Sequence, residues 1–584
     1  MATVASLALL ARGVALSVLE LRRRELRGEP SGWDAAVHPV LQRIYAARGV
    51  LQPAGVEHRL QRLLPPLGLG GLDAATDLLA EAIRDDWSIL IAGDYDCDGA
   101  TGTAVAVRGL RMLGAQRVSY AVPNRFVHGY GLTPALVDSL QPYPQLIVTV
   151  DNGVASMAGA ARAHELGMRV IVTDHHLPGE QLPRCDAMVN PNLVGDAFPS
   201  KALAGVGVMF YLLLALRARL RERGALGTPE PDLSTLLDLV ALGTVADLVP
   251  LDFNNRVLVD AGLKRIRAGR ACAGIAALVE CGKRSVATLC ASDLGFAVGP
   301  RLNAAGRLED MRLGVECLLT DDAAQARRHA GQLDAINRER RDLQASMVAE
   351  AEAMTAGLRD IDAVGVALYE PSWHAGVVGL VASKLKERLH RPVIAFAPAS
   401  EDDAGNLRGS GRSISGFHLR DALAMIDARQ PGLIERFGGH AMAAGLSLRA
   451  ADFPRFAAAF DAVARELIAP ERLQAALYTD GELPAGSLSL DLALQLRAAG
   501  PWGQAFPEPL FDNLFECAGW KPMGEGHWRL SLRDPRDGSA HDAVMFNVGS
   551  AVPPPRLRAV YEFVVNDWQG RESPRLLLRH VEPA

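Results

Sequence analysis

The chain is 584 residues long, which at roughly 150 residues per domain suggests about three or four domains. Hydrophobic residues make up 49% and charged residues 22%, a balance that excludes a disordered chain and supplies enough core to need no disulfide staples. Seven cysteines without a CxxC pair argue against a zinc ribbon and a secreted disulfide framework, and for a reducing cytosol; a formal net charge of −6 excludes a global positive field, so any polyanion must be held by a local basic channel.

Residues 5–10 are a short apolar run cut by Arg12, with no positive region before it, the reverse of the order in a signal peptide. Residues 1–60 are expected to form an N-terminal helical segment. From about residue 80 to 250, strand-like and helix-like segments alternate. Residues 88–92 (SILIA), 146–150 (LIVTV) and 169–173 (RVIVT) are short apolar runs, and helical stretches over 99–113 and 155–166 come after the first two. Continuous apolar strands separated by helices predict a parallel sheet covered on both faces.

Residues 202–216 are strongly apolar but shorter than the roughly 20 residues of a membrane span. They run straight into Arg217, Arg219, Arg221 and Arg223, so a buried helix and a soluble protein with no membrane contact are expected. Residues 321–356 contain no proline and carry charge throughout, which predicts one long solvated helix joining two lobes. Residues 364–369 and 392–397 read as strands of a second α/β block, with a helix over 377–389 between them. Near the end, residues 528–532, 542–548, 560–568 and 575–581 are strand-like runs separated by Gly, Pro and Asp, the spacing of a small antiparallel barrel.

The chemistry lies in the residues just past the first three strands. The first strand ends in GDYDCDG (93–99), placing Asp94, Asp96 and Asp98 at alternate positions; an extended turn would put all three carboxylates on one side. The second ends in Asp151-Asn152-Gly153 and the third in Asp174-His175-His176. Ligands of open parallel sheets bind at the carboxyl ends of the strands, so acids and imidazoles are delivered to one edge, where they repel unless a cation neutralises them. A single Asp after a strand is usually a cap or turn residue. Three such strand ends together are not explained that way. Residues 94–99 also match the opening of a calcium loop, but its twelfth position is Val105, where a bidentate Glu is required. Oxygen ligands with one or two imidazoles suit two manganese or magnesium ions, one activating water while both stabilise the attacking and leaving oxygens. Asp247, after an apolar helix, is either a further ligand or a surface cap; the residues alone leave this open.

These motifs, with GTVADLVPL (243–251), resemble the four motifs of the DHH phosphoesterases, and most closely the branch of single-strand exonucleases. Segments 123–131, 299–307, 373–379, 409–413, 437–440 and 500–509 resemble that branch in the same order, so the likeness runs from roughly residue 35 to 584. The resemblance implies a DHH domain over 61–320, a connecting helix over 321–358, a DHH-associated domain over 359–465 and an OB-like barrel over 466–584. It implies that Asp94, Asp96, Asp98, Asp151, His175 and Asp247 hold two ions, with Asp174 beside them and His176 assisting proton transfer or orienting the phosphate. Cys97 departs from the small apolar residue expected and is read as core-facing. The resemblance also places His374 and His440 across the cleft. It gives Arg125, Arg301, Asn303 and Arg307 to the nucleic-acid path of the first lobe, and Ser410 and Arg412 to a glycine-rich phosphate-receiving turn in the second. Trp528, Tyr561 and Trp568 are either stacking platforms or packed core.

The activity implied is 5′-to-3′ hydrolysis of single-stranded DNA to mononucleotides in repair and recombination. The protein would work as a cytoplasmic monomer, with single-strand-binding protein and a helicase as partners. The alternative is cleavage of dinucleotides or short oligonucleotides, which the additional barrel argues against. A silent scaffold would have lost its acids, and none is missing.

Overall fold

The computed structural model describes residues 19–124, 127–356, 363–400, 403–524, 526–549 and 551–584. The apolar run over 5–10 and Arg125 lie outside the described residues.

The first lobe is built on five parallel strands in the order β3-β2-β4-β5-β6: β2 (Ile89–Ala92), β3 (Val118–Ala121), β4 (Leu146–Val150), β5 (Arg169–Thr173) and β6 (Ala187–Val189). Side chains alternate faces along a strand, and both faces are covered. Ile89, Ile91, Leu146, Val148 and Ile171 join the larger core under the helices Cys97–Met112 and Gly205–Glu222. Leu90, Ile147, Val170 and Val172 pack on the other side with Leu136 and Val137. This two-sided burial is why the strands read as unbroken apolar runs. Residues 202–216 fall largely in the helix Gly205–Glu222, most of whose apolar residues are buried. Among the described residues no helix is long and apolar enough to cross a membrane.

The helix Ala323–Ala356 leads into the second lobe, whose sheet has the order β10-β11-β9-β8-β7. Here β7 (Val366–Tyr369) and β8 (Val393–Ser400) are parallel, while β9 (Asp403–Arg412), β10 (Arg436–Gly439) and β11 (Ala443–Arg449) run antiparallel to their neighbours. This corrects the glycine-rich turn expected at 409–413. Gly409 to Arg412 lie in the central strand, and their backbone groups pair with β8 on one side and β11 on the other, so they do not form an amide nest for phosphate. The glycines serve packing: a Cβ on Gly409 would sit 2.4 Å from the Phe396 ring.

The C-terminal barrel is closed, in the order β13-β14-β15-β17-β16: β13 (Phe511–Pro522), β14 (Trp528–Arg533), β15 (Ala540–Met545), β16 (Arg556–Trp568) and β17 (Arg571–Pro583). It is not wholly antiparallel, because β15 and β17 close it in parallel register. The strand β13 went unread in the sequence. The N-terminal segment is not wholly helical either. Its strand β1 (Glu20–Arg23) pairs in parallel with β12 (Ala476–Thr479), and its helix Pro39–Ala47 packs on the C-terminal domain. Just beyond that helix Arg48 forms a two-pronged, buried ion pair with Asp480 at 2.7 and 3.0 Å, and Tyr45 donates its hydroxyl proton to the Ala499 carbonyl.

Candidate metal centre

The turn after β2 does not stay extended. The Asp96 carboxylate accepts from the Gly99 amide at 3.0 Å and caps a helix that starts at Cys97. That early helical start divides the three aspartates, which is the second correction. Asp94 and Asp96 group with Asp151, whereas Asp98, one helical position inside, groups with His175 and Asp247. A third group, Asp151 with His175 and His176, links the two. In each group the ligand atoms lie within 4.8 Å of one another. Asp247, at the end of the helix Leu237–Ala246, points its carboxylate at the cluster, with Oδ2 3.5 Å from His175 Nε2. Cys97 is buried in the core.

Asp151 sits between the groups. Its Oδ1 is 3.0 Å from His175 Nε2, yet both atoms are buried without a hydrogen bond among the described residues. Its backbone is left-handed, at φ 62°, a conformation Asp tolerates better than most residues and one that turns the chain sharply at the strand end. Asn152 anchors that turn by donating to the carbonyls of Ala92 and Val150. Burial, reinforced by Asp98 and Asp96, holds the Asp151 carboxyl well above the usual range. Burial and neighbouring acids likewise push Asp98 and Asp247 up to about 7. Packed carboxylates whose burial and mutual repulsion outweigh the nearby imidazoles are a donor set built for cations.

Asp174 plays a different part. Its Oδ1 accepts from the amides of His175 and His176 and lies 2.7 Å from His176 Nδ1, and its Oδ2 accepts from the Val154 amide. It belongs to none of the three groups and holds His176 in place. Burial opposes charge on His176, but the hydrogen bond and charge of Asp174 outweigh it, and the imidazole is pushed up to about 9. Tyr130, unnoticed as an individual in the sequence, places its hydroxyl 3.4 Å from both His176 Nε2 and the Asp151 carbonyl.

The second lobe reaches this centre through His440, just past β10, whose ring centroid is 6.0 Å from that of His176. Burial and the charge of His176 hold its pKa down. His374 accepts from the Gly376 amide within its own turn, and the Gly376 carbonyl accepts from Arg307 of the first lobe at 3.3 Å. Arg412 and Ser410 share one face of β9 against Gly379. Arg412 donates to the Ser410 hydroxyl and the Gly411 carbonyl, and burial holds its pKa down.

Two expected nucleic-acid contacts are engaged elsewhere. Arg301 is bound to Asp334 of the long helix at 2.8 Å and donates to the carbonyls of Ala297 and Cys281, so it braces the first lobe. Asn303 accepts from the Cys97 amide at 2.7 Å and fixes the start of the helix that carries Asp98. Trp528 and Tyr561 are core residues of the barrel; their polar ends are used by the Ala551 carbonyl and by Asn513. Trp568 is 70% exposed, and Trp520, which the sequence did not single out, is 42% exposed on β13.

Strand ends that converge on linked groups of carboxylates and imidazoles, with a second lobe closing over them, define a divalent-cation phosphoesterase of the DHH class. Residues 88–244 match the model of the DHH family N-terminal domain, 362–466 the DHHA1 domain and 479–580 the RecJ OB domain. The chain is 52% identical over 577 residues to the single-stranded-DNA-specific exonuclease RecJ of Dickeya dadantii, covering 97% of this chain and 99% of that one. It is 47% identical to that of Escherichia coli, at 97% and 99% coverage. The crystal structure of RecJ from Thermus thermophilus in complex with Mn2+ superposes with a TM-score of 0.78 at 33% identity, over 94% of this chain and 76% of that one; its Mg2+ complex gives 0.74 at 32% identity, over 94% and 75%. The chain belongs to the RecJ family of exonucleases.

Proposed function

We propose that the protein removes mononucleotides from the 5′ end of single-stranded DNA by metal-dependent hydrolysis, in DNA repair and recombination. The observation that carries this is the linkage of an all-carboxylate group to an acid–imidazole group through the adjoining Asp151 and His175, whose buried Oδ1 and Nε2 lack hydrogen-bond partners among the described residues. Asp94, Asp96 and Asp151 would hold one manganese or magnesium ion and Asp98, His175 and Asp247 the other. When bound, two such ions activate water and stabilise the attacking and leaving oxygens of the phosphodiester.

The chain's own residues do the rest. His176, kept cationic by Asp174, offers positive charge and a proton at Nε2 to the phosphate. Tyr130 steadies that nitrogen from the side. Neutral His440 faces His176 from the second lobe, so closing the cleft completes the phosphate surroundings. Arg307 and Arg412 supply positive charge along the strand's path. The closed barrel, with Trp568 and Trp520 exposed, grips the strand by stacking and backbone charge. All seven cysteines are free, which supports a cytoplasmic location. We place single-strand-binding protein and a helicase among its partners and expect a monomer.

The test is a product time course in manganese on a 3′-labelled single-stranded oligomer, with a dinucleotide and a blunt duplex alongside. The reading requires a ladder shrinking from the 5′ end and an untouched duplex. Asp151→Ala is expected to abolish it. Dinucleotide turnover with an intact oligomer refutes the reading.

A further inference from the structure

A second cluster of positive charge lies away from the acidic centre, where the N-terminal segment meets the C-terminal domain. A cavity of about 310 Å³ opens there, lined by Arg23, Arg24 and Arg43 together with Asp480, Gly481 and Glu482. The acids at this site are already taken. Asp480 is held by both prongs of Arg48, and Glu482 and Asp512 are held by Arg23. Arg558 adds to Asp512 at 3.0 Å, and Arg536 approaches Glu482 at 3.6 Å.

Among the described residues, Arg24 and Arg43 are left without a direct carboxylate partner. Arg43 gives one Nη proton to the Glu482 carbonyl, and Arg24 lies 5.6 Å from the centre of the Tyr478 ring. The Nε of each is buried with no hydrogen-bond partner among the described residues. Asp480 lies near enough to favour their charge, but partly buried guanidinium groups without a direct ion pair are costly, and such groups are normally paired. Burial holds the pKa of both groups down, in keeping with this unmet demand.

We propose that this pocket is a phosphate-binding site separate from the metal centre, with Arg24 and Arg43 as its ligands. A phosphate has oxygens for two guanidinium groups at once, and a phosphomonoester dianion matches their two charges, which a single carboxylate does not. The cavity is at the small end of the range for organic ligands, roughly 300–1,000 Å³, so it admits a phosphate that carries a sugar. The phosphate comes either from a free mononucleotide or from the backbone of a bound strand. The site depends on none of the residues placed in hydrolysis.

The test uses the full chain in chelator and chloride, so that no strand is cut. Inorganic phosphate, deoxyadenosine monophosphate and a single-stranded oligomer are each titrated calorimetrically against wild type and Arg24→Gln/Arg43→Gln. Loss of phosphate and mononucleotide binding at one site, by about tenfold or more, identifies a nucleotide pocket. A fall in oligomer affinity alone, with the salt slope reduced by about one per arginine, identifies a backbone contact. The unliganded double variant should melt no lower than wild type, because it loses unpaired charges. Glu482→Gln removes a neutralising acid and should tighten phosphate binding, which keeps the proposal testable if the double variant does not fold. Equal affinity of wild type and the double variant for all three ligands, or no tightening in Glu482→Gln, overturns it.

Discussion

Gly205 opens the helix Gly205–Glu222 against Asp151, and replacing it by alanine tests whether the placement of that acid sets the rate. A Cβ at residue 205 would lie 2.5 Å from Asp151 Cβ and 2.8 Å from its Cα. Carbon atoms in contact prefer about 3.5–4.0 Å, so roughly 1 Å must be found. Asp151 has little room to yield, because its amide donates to the Thr173 carbonyl and its backbone is fixed at φ 62°. The helix has little either, since the amides of Gly205 and Val206 both donate to Asp98 at 2.6 and 3.0 Å. Overpacking of this kind costs about 1–3 kcal/mol, and a displacement of about 1 Å at a reacting centre costs about 10²-fold in rate. Gly205→Ala should therefore fold, melt a few degrees lower and lose about two orders of magnitude in turnover of single-stranded DNA in manganese. Gly207→Ala on the same helix is the control, because its Cβ would meet only the flexible end of Leu203 at 3.2 Å. Wild-type turnover by Gly205→Ala would refute the placement of Asp151 at the centre of the site.

Other consequences are as direct. Asp247→Asn should weaken manganese binding by about tenfold or more in calorimetry, and unchanged affinity would return Asp247 to a capping role. Arg301→Gln breaks a brace whose side chain is only 11% exposed; it should lower the melting temperature, at a cost of about 3–5 kcal/mol, while the salt slope of DNA binding stays at the wild-type value. His58, 8% exposed, has its pKa pushed down to about 4, by burial first and then by Arg256. The unfolded chain, with a histidine pKa of about 6.5, binds this proton and the folded chain does not. Its stabilising contribution is therefore complete above that value and is lost as pH falls towards 4, by about 2 kcal/mol between pH 7 and 5. In urea titrations at the two pH values, His58→Gln should lose that much less than wild type.

The parallel sheet was legible because burial on both faces leaves strands such as ILIA (89–92) with no polar position to confuse the period. The acids were legible because strand ends in such a sheet converge whatever the loops between them do. Less could be read where a residue's partner is distant in sequence. Arg301 looks like a phosphate ligand until Asp334 is placed beside it, and Asn303 looks polar and available until the Cys97 amide is found to need it. The segment GSGRS has the composition of a turn, yet its glycines answer to Phe396 and Leu419 packed against a central strand. Trp528 and Tyr561 have aromatic faces suited to stacking on bases, and only closure of the barrel decides that they point inward. Asp247 was undecidable because nothing local says where a helix end is aimed.

The join between the two ends of the chain has a consequence for how the protein is made. Strand β1 can complete its pairing only with β12, and Arg48 is separated from Asp480 by 432 residues. At about 5–20 residues per second, Arg48 leaves the ribosome roughly 20–90 s before the residue that neutralises it. Throughout that interval the helix Pro39–Ala47 must keep Ile44 and Tyr45 from other partners, although both lobes between them can already have closed. The domain that carries β12 and Asp480 thus secures a segment made 432 residues before it, and that segment stays unpaired until the later domain has emerged.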